Sequence, residues 1–245
     1  MKNIRGIVLR AYDLRDSSRI LEILTHEGRI SVLCKGIRRA KSRSLNLTEP
    51  YIEADFNLQA GRDLFYLKDG ELVTARLDLR EKMERLALAA ASCDLLRAVL
   101  VEQPDPHLYE FLRAMLDACE QMQPERTSAL FCAYIIKLVS LIGYRPVLTR
   151  CTVCGAPVRA GVFDGDAGGM LCENHSSVGS GDAWRLREEE LAFLWKVMRT
   201  PLAEIDTENF QRERRMTRMV MCYFLYHTGI SEPKSMELLK KLRYL

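Results

Sequence analysis

Two pairs of metal-binding residue types lie close together in the sequence and restrict how this part of the chain can fold. Cys151 and Cys154 form a Cys-x-x-Cys pair, and Cys172 and His175 form a second pair of the same spacing after 17 intervening residues. Each pair fits on a tight turn that directs two ligand atoms to one point, so the two pairs together complete a tetrahedron around Zn²⁺. The spacing therefore predicts one structural zinc ion per chain.

The segment between the pairs has the composition of a hairpin tip. Gly161, Gly165, Gly168 and Gly169 occur there together with Asp164 and Asp166, which predicts a short β-hairpin that returns the second pair to the first. A site filled by four protein ligands has no open position for water or substrate, so we expect a structural and not a catalytic role. The alternative interpretation makes His175 a surface histidine and the three cysteines small buried hydrophobic residues. The remaining cysteines lack partners at ligand spacing and are predicted to fill the core: Cys34, Cys93, Cys119, Cys132 and Cys222.

The composition describes a globular chain. It has 245 residues, of which 48% are hydrophobic, enough for one large or two modest cores. No stretch reaches the roughly 18 apolar residues that span a bilayer, and no apolar run follows the charges of the N-terminus. We therefore expect a cytoplasmic protein without a membrane partner, whose cysteines remain thiols in a reducing compartment.

Positive charge is concentrated near the N-terminus. Residues 1–80 carry 15 Lys or Arg against 11 Asp or Glu, whereas residues 81–245 carry 21 against 22. No acidic residue occurs from position 28 to position 48, a field that attracts polyanions such as nucleic acid. A solvated face is the ordinary explanation of a charge run, but this run begins in a predicted strand, which would hold it on a rigid surface. We predict that nucleic-acid phosphates contact six cations there: Arg29, Lys35, Arg38, Arg39, Lys41 and Arg43.

The first 80 residues read as strands. Short Ile, Val and Leu runs predict strands over 4–12, 19–25, 29–35 and 51–59, and the Asp69-Gly70 dipeptide predicts a further hairpin between 64–67 and 72–77. About five short strands in this length predict a closed five-stranded barrel of the OB type. The aromatic residues in these strands fit a barrel core as well as a base-stacking surface, so the sequence selects none of them for stacking: Tyr12, Tyr51, Phe56, Phe65 and Tyr66.

After residue 80 the hydrophobic pattern becomes helical. The first helix is predicted to bury a face with Leu86, Ala90, Cys93, Leu96, Ala98 and Leu100. Further helices are predicted over 108–122, 127–142, 188–198, 209–227 and 235–242, with the metal segment inserted between the third and the fourth. The fold class is therefore α+β: an OB-type barrel domain over 1–80, followed by an all-α domain over 81–245 that contains a zinc finger at 151–175.

No catalytic motif emerges from the sequence. The chain has no Gly-x-Ser-x-Gly, no phosphate-binding Gly-rich loop and no His-Glu-x-x-His, and its four histidines are scattered. The run Glu188-Glu189-Glu190 is explained by the dipole at a helix start. A zinc-dependent deaminase is the enzyme alternative, but the His-x-Glu that it needs upstream of Pro-Cys-x-x-Cys is missing. We expect no catalytic residue and no small-molecule substrate.

The order of these parts is similar to a known family. Three segments carry the similarity: GIVLRAYDLRDSSRILEILTHEGRISVLCKGIRRAKS near the N-terminus, KLVSLIGYRPVLTRCTVCG at the first cysteine pair, and GGMLC at the second pair. Together they resemble RecO, a family of bacterial recombination mediators, and the resemblance extends along nearly the whole chain. The resemblance implies an OB-fold that binds single-stranded DNA, with duplex DNA as a further ligand, and a helical domain that holds a zinc finger. It also implies annealing of complementary strands, binding of the C-terminal tail of single-strand DNA-binding protein, and loading of the RecA recombinase together with RecR.

The resemblance also assigns residues. It places DNA contacts on Lys35, Arg38, Arg39 and Lys41. It places the zinc motif on Cys151, Cys154, Cys172 and position 175, where the family usually has Cys and this chain has His. We therefore expect a nucleoid-associated DNA-repair mediator that responds to DNA damage. A zinc-stapled adaptor that binds RNA or assists transcription remains the alternative, distinguished by a preference for structured RNA. Basic residues beside Met216 and Met219 are candidates for the groove that receives the partner's tail: Arg212, Arg214, Arg215 and Arg218.

Overall fold

The protein is described by a computed structural model that covers residues 1–15, 17–39, 44–100, 105–179, 183–205 and 212–245. The chain divides into two compact units, Met1–Gln121 and Met122–Leu245. The predicted boundary after residue 80 lies within the first unit, where the barrel ends and two helices follow. None of the helices in the described ranges is long and apolar enough to span a membrane.

The N-terminal strands close into a barrel with the order β1-β2-β3-β5-β4. Every neighbouring pair is antiparallel except β3 and β5, which close the barrel by pairing in parallel, with Val32 opposite Phe65 and Leu33 opposite Tyr66. The predicted closed five-stranded barrel is therefore confirmed. Its strands are β1 (Lys2–Asp13), β2 (Arg19–Thr25), β3 (Gly28–Cys34), β4 (Glu53–Ala60) and β5 (Phe65–Thr74), with a 3₁₀ turn at Leu45–Thr48.

Alternation along the strands separates a core from an outer surface. In β3, Val32 and Cys34 are buried while Arg29 and Ser31 are exposed, as the sequence pattern predicts for a half-buried strand. The barrel core is built from the inward positions of all five strands, among them Val8, Leu21, Ile23, Val32, Phe56 and Leu58. Arg29, the basic residue of β3, consequently lies on the outside of the barrel.

The predicted hairpin at Asp69-Gly70 is wrong, because β5 runs unbroken from Phe65 to Thr74. Gly70 lies directly opposite Phe56 of β4, and a Cβ atom at position 70 would stand 2.5 Å from the carbonyl oxygen of Asp55. The glycine therefore allows a close approach of two strands beside an irregularity in their register between Asn57 and Leu58. An Asp-Gly pair serves a tight turn or such an irregularity equally well, and the sequence does not distinguish them.

Two helices complete the first unit, α1 (Met83–Val99) and α2 (Pro106–Gln121), after a 3₁₀ turn at Leu77–Arg80. The predicted buried face of α1 is partly wrong: Ala98 is exposed, whereas Leu88 and Leu95 are fully buried. This helix is apolar around most of its circumference, so hydrophobic spacing does not select one face.

A buried ionic network joins barrel and helices within this unit. The Arg76 side chain is 1% exposed and contacts Glu53 and Asp117 at 3.4 and 2.7 Å, and its guanidinium also donates to the carbonyl of Tyr51 at 3.0 Å. Tyr109 of α2 donates its hydroxyl to the other oxygen of Glu53 at 2.7 Å. Each buried charge therefore has a partner, as burial of an ion requires.

The second unit combines helices with a small sheet of order β7-β6-β8. Its helix positions confirm the predicted ones, although residues 209–211 of the predicted fifth helix lie outside the described residues. The elements are α3 (Thr127–Leu141), β6 (Gly161–Asp164), β7 (Gly169–Leu171), β8 (Trp184–Leu186), α4 (Glu188–Arg199), α5 (Glu213–Thr228) and α6 (Met236–Lys241), with 3₁₀ turns at Pro124–Arg126, Glu173–Val178 and Leu202–Glu204.

Glu190 has a role beyond helix-start charge. Its side chain is 1% exposed and accepts hydrogen bonds from the backbone N–H of Arg187 and from Arg212 and Arg215 of the α5 region, at 2.9, 3.2 and 2.6 Å. Burial alone would raise the pKa of this carboxyl, but the Arg187 N–H and the two guanidinium groups together lower the pKa below its ordinary value. The first turn of α4 is thereby fastened to the start of α5.

Candidate metal centre and nucleic-acid interface

The four predicted metal ligands come together on two turns. Cys151 and Cys154 stand on a turn that the Gly155 N–H closes onto the Cys151 carbonyl at 2.9 Å, with Gly155 at a φ of 74° that favours glycine. Cys172 follows β7 directly, and the N–H of His175 donates to its carbonyl at 2.9 Å. Strands β6 and β7 form the predicted hairpin that returns the second pair, and the Thr152 N–H donates to Met170 of β7 at 2.9 Å.

The distances within the cluster suit a four-coordinate metal ion. The four ligand atoms all lie within 4.8 Å of one another. The Nδ1 atom of His175 lies 3.2 Å from the sulfur of Cys172 and 3.7 Å from that of Cys151, and the sulfurs of Cys154 and Cys172 are 3.9 Å apart. A tetrahedron with metal–sulfur bonds of about 2.3 Å and a metal–nitrogen bond of about 2.0 Å has edges of roughly 3.5–3.8 Å. The residues could therefore hold a metal ion, and the Cys₃His set is consistent with zinc.

The electrostatics of the cluster also suit a cation. The backbone N–H groups of Cys172, Cys154 and Val153 donate to the Cys151 sulfur and lower the pKa of its thiol to about 6. The pKa of the Cys172 thiol is raised, because burial and the neighbouring thiols of Cys151 and Cys154 oppose a second negative charge. A cation among these sulfurs would remove that opposition, since metal coordination deprotonates thiols.

The surroundings of the cluster indicate a structural role. Cys151 is buried against Val162 and Leu171, which form a small core beneath the two turns. Four protein atoms occupy all positions of a tetrahedral ion, so water and substrate have no place in the coordination sphere. An ion bound by these four atoms would crosslink the two turns.

The basic residues of β3 and the following turn differ in their environment. Arg29, Lys35 and Arg39 are exposed, and none of them has a carboxylate partner among the residues described. Arg38 instead contacts Asp13 at 3.2 Å and donates to the Leu14 carbonyl at 2.7 Å.

The contacts of Arg38 fix the turn after β3. Its backbone N–H donates to the Ser17 carbonyl at 3.0 Å, so the residue attaches this turn to the β1–β2 connection. The pKa of Asp13 is lowered, chiefly by its hydrogen bond with Arg19 and further by Arg38. Two of the predicted contacts, Lys41 and Arg43, lie outside the described residues.

Sequence reasoning missed the contribution of β5 to this surface. Because Leu33 lies opposite Tyr66 in the parallel β3–β5 pair, the outward side chains of β5 continue the basic surface of β3. The ammonium of Lys35 lies 4.8 Å from the centroid of the Tyr66 ring, and Lys68 is exposed two residues further along. Hydrophobic patterning predicts the strands but does not predict which distant strands pair. The sequence therefore gives no local indication that Tyr66 and Lys68 lie beside Lys35.

The structure also separates the aromatic residues of the barrel. Phe56 is completely buried, and Phe65 packs against the barrel core. Tyr66 and Tyr12 are half-buried and each stacks under a cation, with Arg10 at 4.8 Å from the Tyr12 ring. Only the latter two therefore belong to the outer surface among these four residues.

The residues predicted to form the groove for a partner's tail lie beside two depressions in the second unit. Trp184 lines two adjoining depressions. One is mainly apolar, with Phe163, Met219 and Tyr223 and with Asp166 in its lining, and the other is basic, with Arg214 and Arg218. Arg214 and Arg218 are exposed and have no carboxylate partner in the described part of the chain. Arg215 also lines the basic depression, and together with Arg212 it neutralises the buried carboxylate of Glu190.

Two family descriptions match most of the chain. A family described as "Recombination protein O N terminal" matches residues 1–76, and "Recombination protein O C terminal" matches residues 80–237. A protein of Rubrobacter xylanophilus named DNA repair protein RecO is 33% identical over 226 residues, covering 91% of this chain and 90% of the relative. Proteins of the same name from Caldanaerobacter subterraneus and Symbiobacterium thermophilum are 31% and 33% identical, over 82% and 73% of this chain and 81% and 73% of the relatives.

Proposed function

Since the chain belongs to the RecO family of DNA repair proteins, we propose that it is a non-enzymatic mediator of DNA repair and recombination that binds single-stranded DNA. The observation that carries the proposal is the outer surface of β3 and its following turn, where Arg29, Lys35 and Arg39 are exposed without carboxylate partners among the described residues. Cations that no carboxylate neutralises remain available to phosphates.

Binding of this kind is driven by charge. Lys and Arg that contact phosphates release condensed counterions, which gives affinity without sequence preference and a strong dependence on salt. Neutralised phosphates repel one another less, so two complementary strands held on such surfaces can approach and pair. The proposed roles of the protein in the cytoplasm are the annealing of complementary strands and, together with RecR, the loading of RecA. Duplex DNA presents the same phosphates and is a further ligand.

The metal site is proposed to hold one structural Zn²⁺ per chain. Cys151, Cys154, Cys172 and His175 would bind it, and the bound ion would supply a tetrahedral crosslink between the two turns. Three soft sulfur ligands and one imidazole favour zinc over the harder cations that prefer oxygen. The family usually has Cys where this chain has His175. Both residue types bind zinc in structural sites, so the exchange preserves the ability of the site to hold zinc.

The paired depressions around Trp184 are proposed to receive the C-terminal tail of single-strand DNA-binding protein. The carboxylates of an acidic tail would face Arg214 and Arg218 of the basic depression, and the adjoining depression offers Met219 and Tyr223 for apolar contacts. Binding of a labelled tail peptide should therefore be lost in Arg214→Glu/Arg218→Glu and retained in Arg159→Glu/Lys234→Glu, which changes the net charge equally. Equal binding by both variants would remove this groove from the proposal.

Fluorescence anisotropy with labelled oligonucleotides tests the main proposal. Wild-type protein should bind single-stranded DNA, and Lys35→Glu/Arg39→Glu should bind much more weakly at every salt concentration. Arg159→Glu/Lys234→Glu again controls for net charge and should bind like wild type, since both residues are exposed in the second unit. Unchanged binding by Lys35→Glu/Arg39→Glu would overturn the proposed surface, and a strong preference for structured RNA would favour the RNA adaptor instead.

A further inference from the structure

Tyr66 lies beside Lys35 on the proposed DNA surface. It lies on the outside of β5, because its neighbours Phe65 and Leu67 pack against the barrel core. In the parallel pairing it stands opposite Leu33 of β3, and in the antiparallel pairing opposite Gln59 of β4. Three strands therefore support the position of this ring, next to the cations of the β3 surface.

The Tyr66 ring lies against backbone at one edge and is covered on one face by an exposed side chain. A Cβ atom at Gly61 would stand 2.7 Å from Cε2 of Tyr66, so that edge of the ring lies against the backbone of residue 61. One face lies beneath the ammonium of Lys35, 4.8 Å from the ring centroid, and Lys35 is exposed. A flexible, solvent-exposed side chain thus covers a face that a planar ligand could occupy.

We infer that Tyr66 stacks on one base of a bound single strand while the Lys35 ammonium moves from the ring to the neighbouring phosphate. The inference rests on the proposed binding of single-stranded DNA and assigns one nucleotide to a definite pair of residues. An exposed cation–π contact strengthens an equilibrium only about two- to fivefold. Stacking of a base on an aromatic ring strengthens it about 5- to 150-fold, so exchange of the ammonium for a base favours binding.

Tyr12 shows why the inference selects Tyr66. Both rings carry a cation at the same centroid distance, 4.8 Å. The hydroxyl of Tyr12, however, lies 3.3 Å from the Glu22 carboxylate. A carboxylate at the edge of the ring repels a phosphate backbone, whereas the Lys35 ammonium beside Tyr66 has no carboxylate partner among the described residues and attracts it. Tyr12 therefore serves as a matched control, with the same ring and cation in an acidic setting.

The experiment compares ring variants on two ligands. Tyr66→Ala and Tyr66→Leu should each bind a short oligothymidylate about 5- to 150-fold more weakly than wild type, whereas Tyr66→Phe and Tyr12→Ala should bind within about twofold. On an oligomer of the same length that lacks all its bases, Tyr66→Ala and wild type should bind equally. The slope of log affinity against log salt should stay unchanged in Tyr66→Ala, because no phosphate contact is removed.

Each outcome decides the inference. Wild-type binding that is retained in both Tyr66→Ala and Tyr66→Leu overturns it and leaves the proposed function intact. Binding that is retained in Tyr66→Leu alone shows that the side chain only packs, which also overturns it, as does an equal loss on the oligomer without bases. Absence of binding by wild-type protein overturns the proposed function itself. Thermal melting of each variant shows whether a loss of binding reflects unfolding.

Discussion

The metal cluster and the basic barrel surface differ in how their residues are brought together. The four ligands come from a segment of 25 residues, and two short turns are enough to assemble them. The basic surface joins β3 to β5 through a parallel pairing of strands about 30 residues apart in sequence. Residue spacing in the sequence predicts a site that is built on local turns. A surface that depends on the pairing of distant strands can be recognised only in the folded structure.

The first prediction separates the two regions most strongly. Cys151→Ser should reduce bound zinc from about one ion per chain to nearly none, because a structural site that loses a thiolate loses its closed coordination. The segment 151–175 should then become susceptible to limited proteolysis, while affinity for single-stranded DNA stays within about twofold of wild type. Elemental analysis, proteolysis and anisotropy measure the three quantities.

A matched variant keeps that experiment specific. The predicted core position of Cys222 is wrong, because its thiol is exposed, and it belongs to no cluster of ligands in the described residues. Cys222→Ser should therefore retain one zinc ion. Loss of DNA binding in Cys151→Ser, with the barrel still folded, would show that the two regions do not act separately.

The second prediction concerns the ionic network under the barrel. Arg76→Met should lower the free energy of unfolding of the first unit by about 3–5 kcal/mol, because Glu53 would be left buried without its cation. Arg38→Met removes a surface pair and should cost no more than about 1 kcal/mol. Chemical denaturation compares the two, and equal losses would contradict the assigned difference in burial.

The third prediction is that the stability of the second unit depends on pH in the acidic range. The folded-state pKa of Glu190 is depressed, so its contribution to stability is complete above its ordinary pKa of 4.5 and is lost as the pH falls through the lower folded value. Glu190→Gln should therefore be about 1–3 kcal/mol less stable at pH 7, and this difference should shrink below about pH 4.5. Melting curves from pH 7 to pH 3 test this, and a difference independent of pH would contradict it.

The fourth and smallest effect divides the basic surface itself. Lys35→Ala should reduce the slope of log affinity against log salt by about one unit, as expected when one phosphate contact is lost. Arg38→Ala should leave the slope nearly unchanged, because its guanidinium already contacts Asp13 and the Leu14 carbonyl. Equal changes in both variants would show that Arg38 releases its internal partners to bind phosphate.

The sequence predicts those features that depend on near neighbours. The metal turns, the β6–β7 hairpin, the alternation of β3 and the helix positions all follow from spacing, periodicity and breakers such as Gly143 and Pro146. The Asp69-Gly70 hairpin is wrong because a local turn signal there serves a close approach of two strands.

Features that depend on distant contacts escape local reasoning. Glu190 reads as helix-start charge, but its carboxylate is buried by arginines more than 20 positions away. Tyr66 reads as one of several core aromatics until the β3–β5 pairing places it outside the barrel. Arg38 and Arg39 are adjacent in sequence, yet only Arg38 is paired with a carboxylate among the described residues.

Photo-crosslinking locates bound DNA on the protein surface. A single-stranded oligonucleotide with photoreactive pyrimidines would be irradiated with wild-type protein, and the crosslinked peptides identified by mass spectrometry. Crosslinks are expected in the peptides of β3 and β5, including Tyr66, and should disappear in Lys35→Glu/Arg39→Glu. Crosslinks confined to the second unit, or unchanged by that substitution, would contradict the proposed surface.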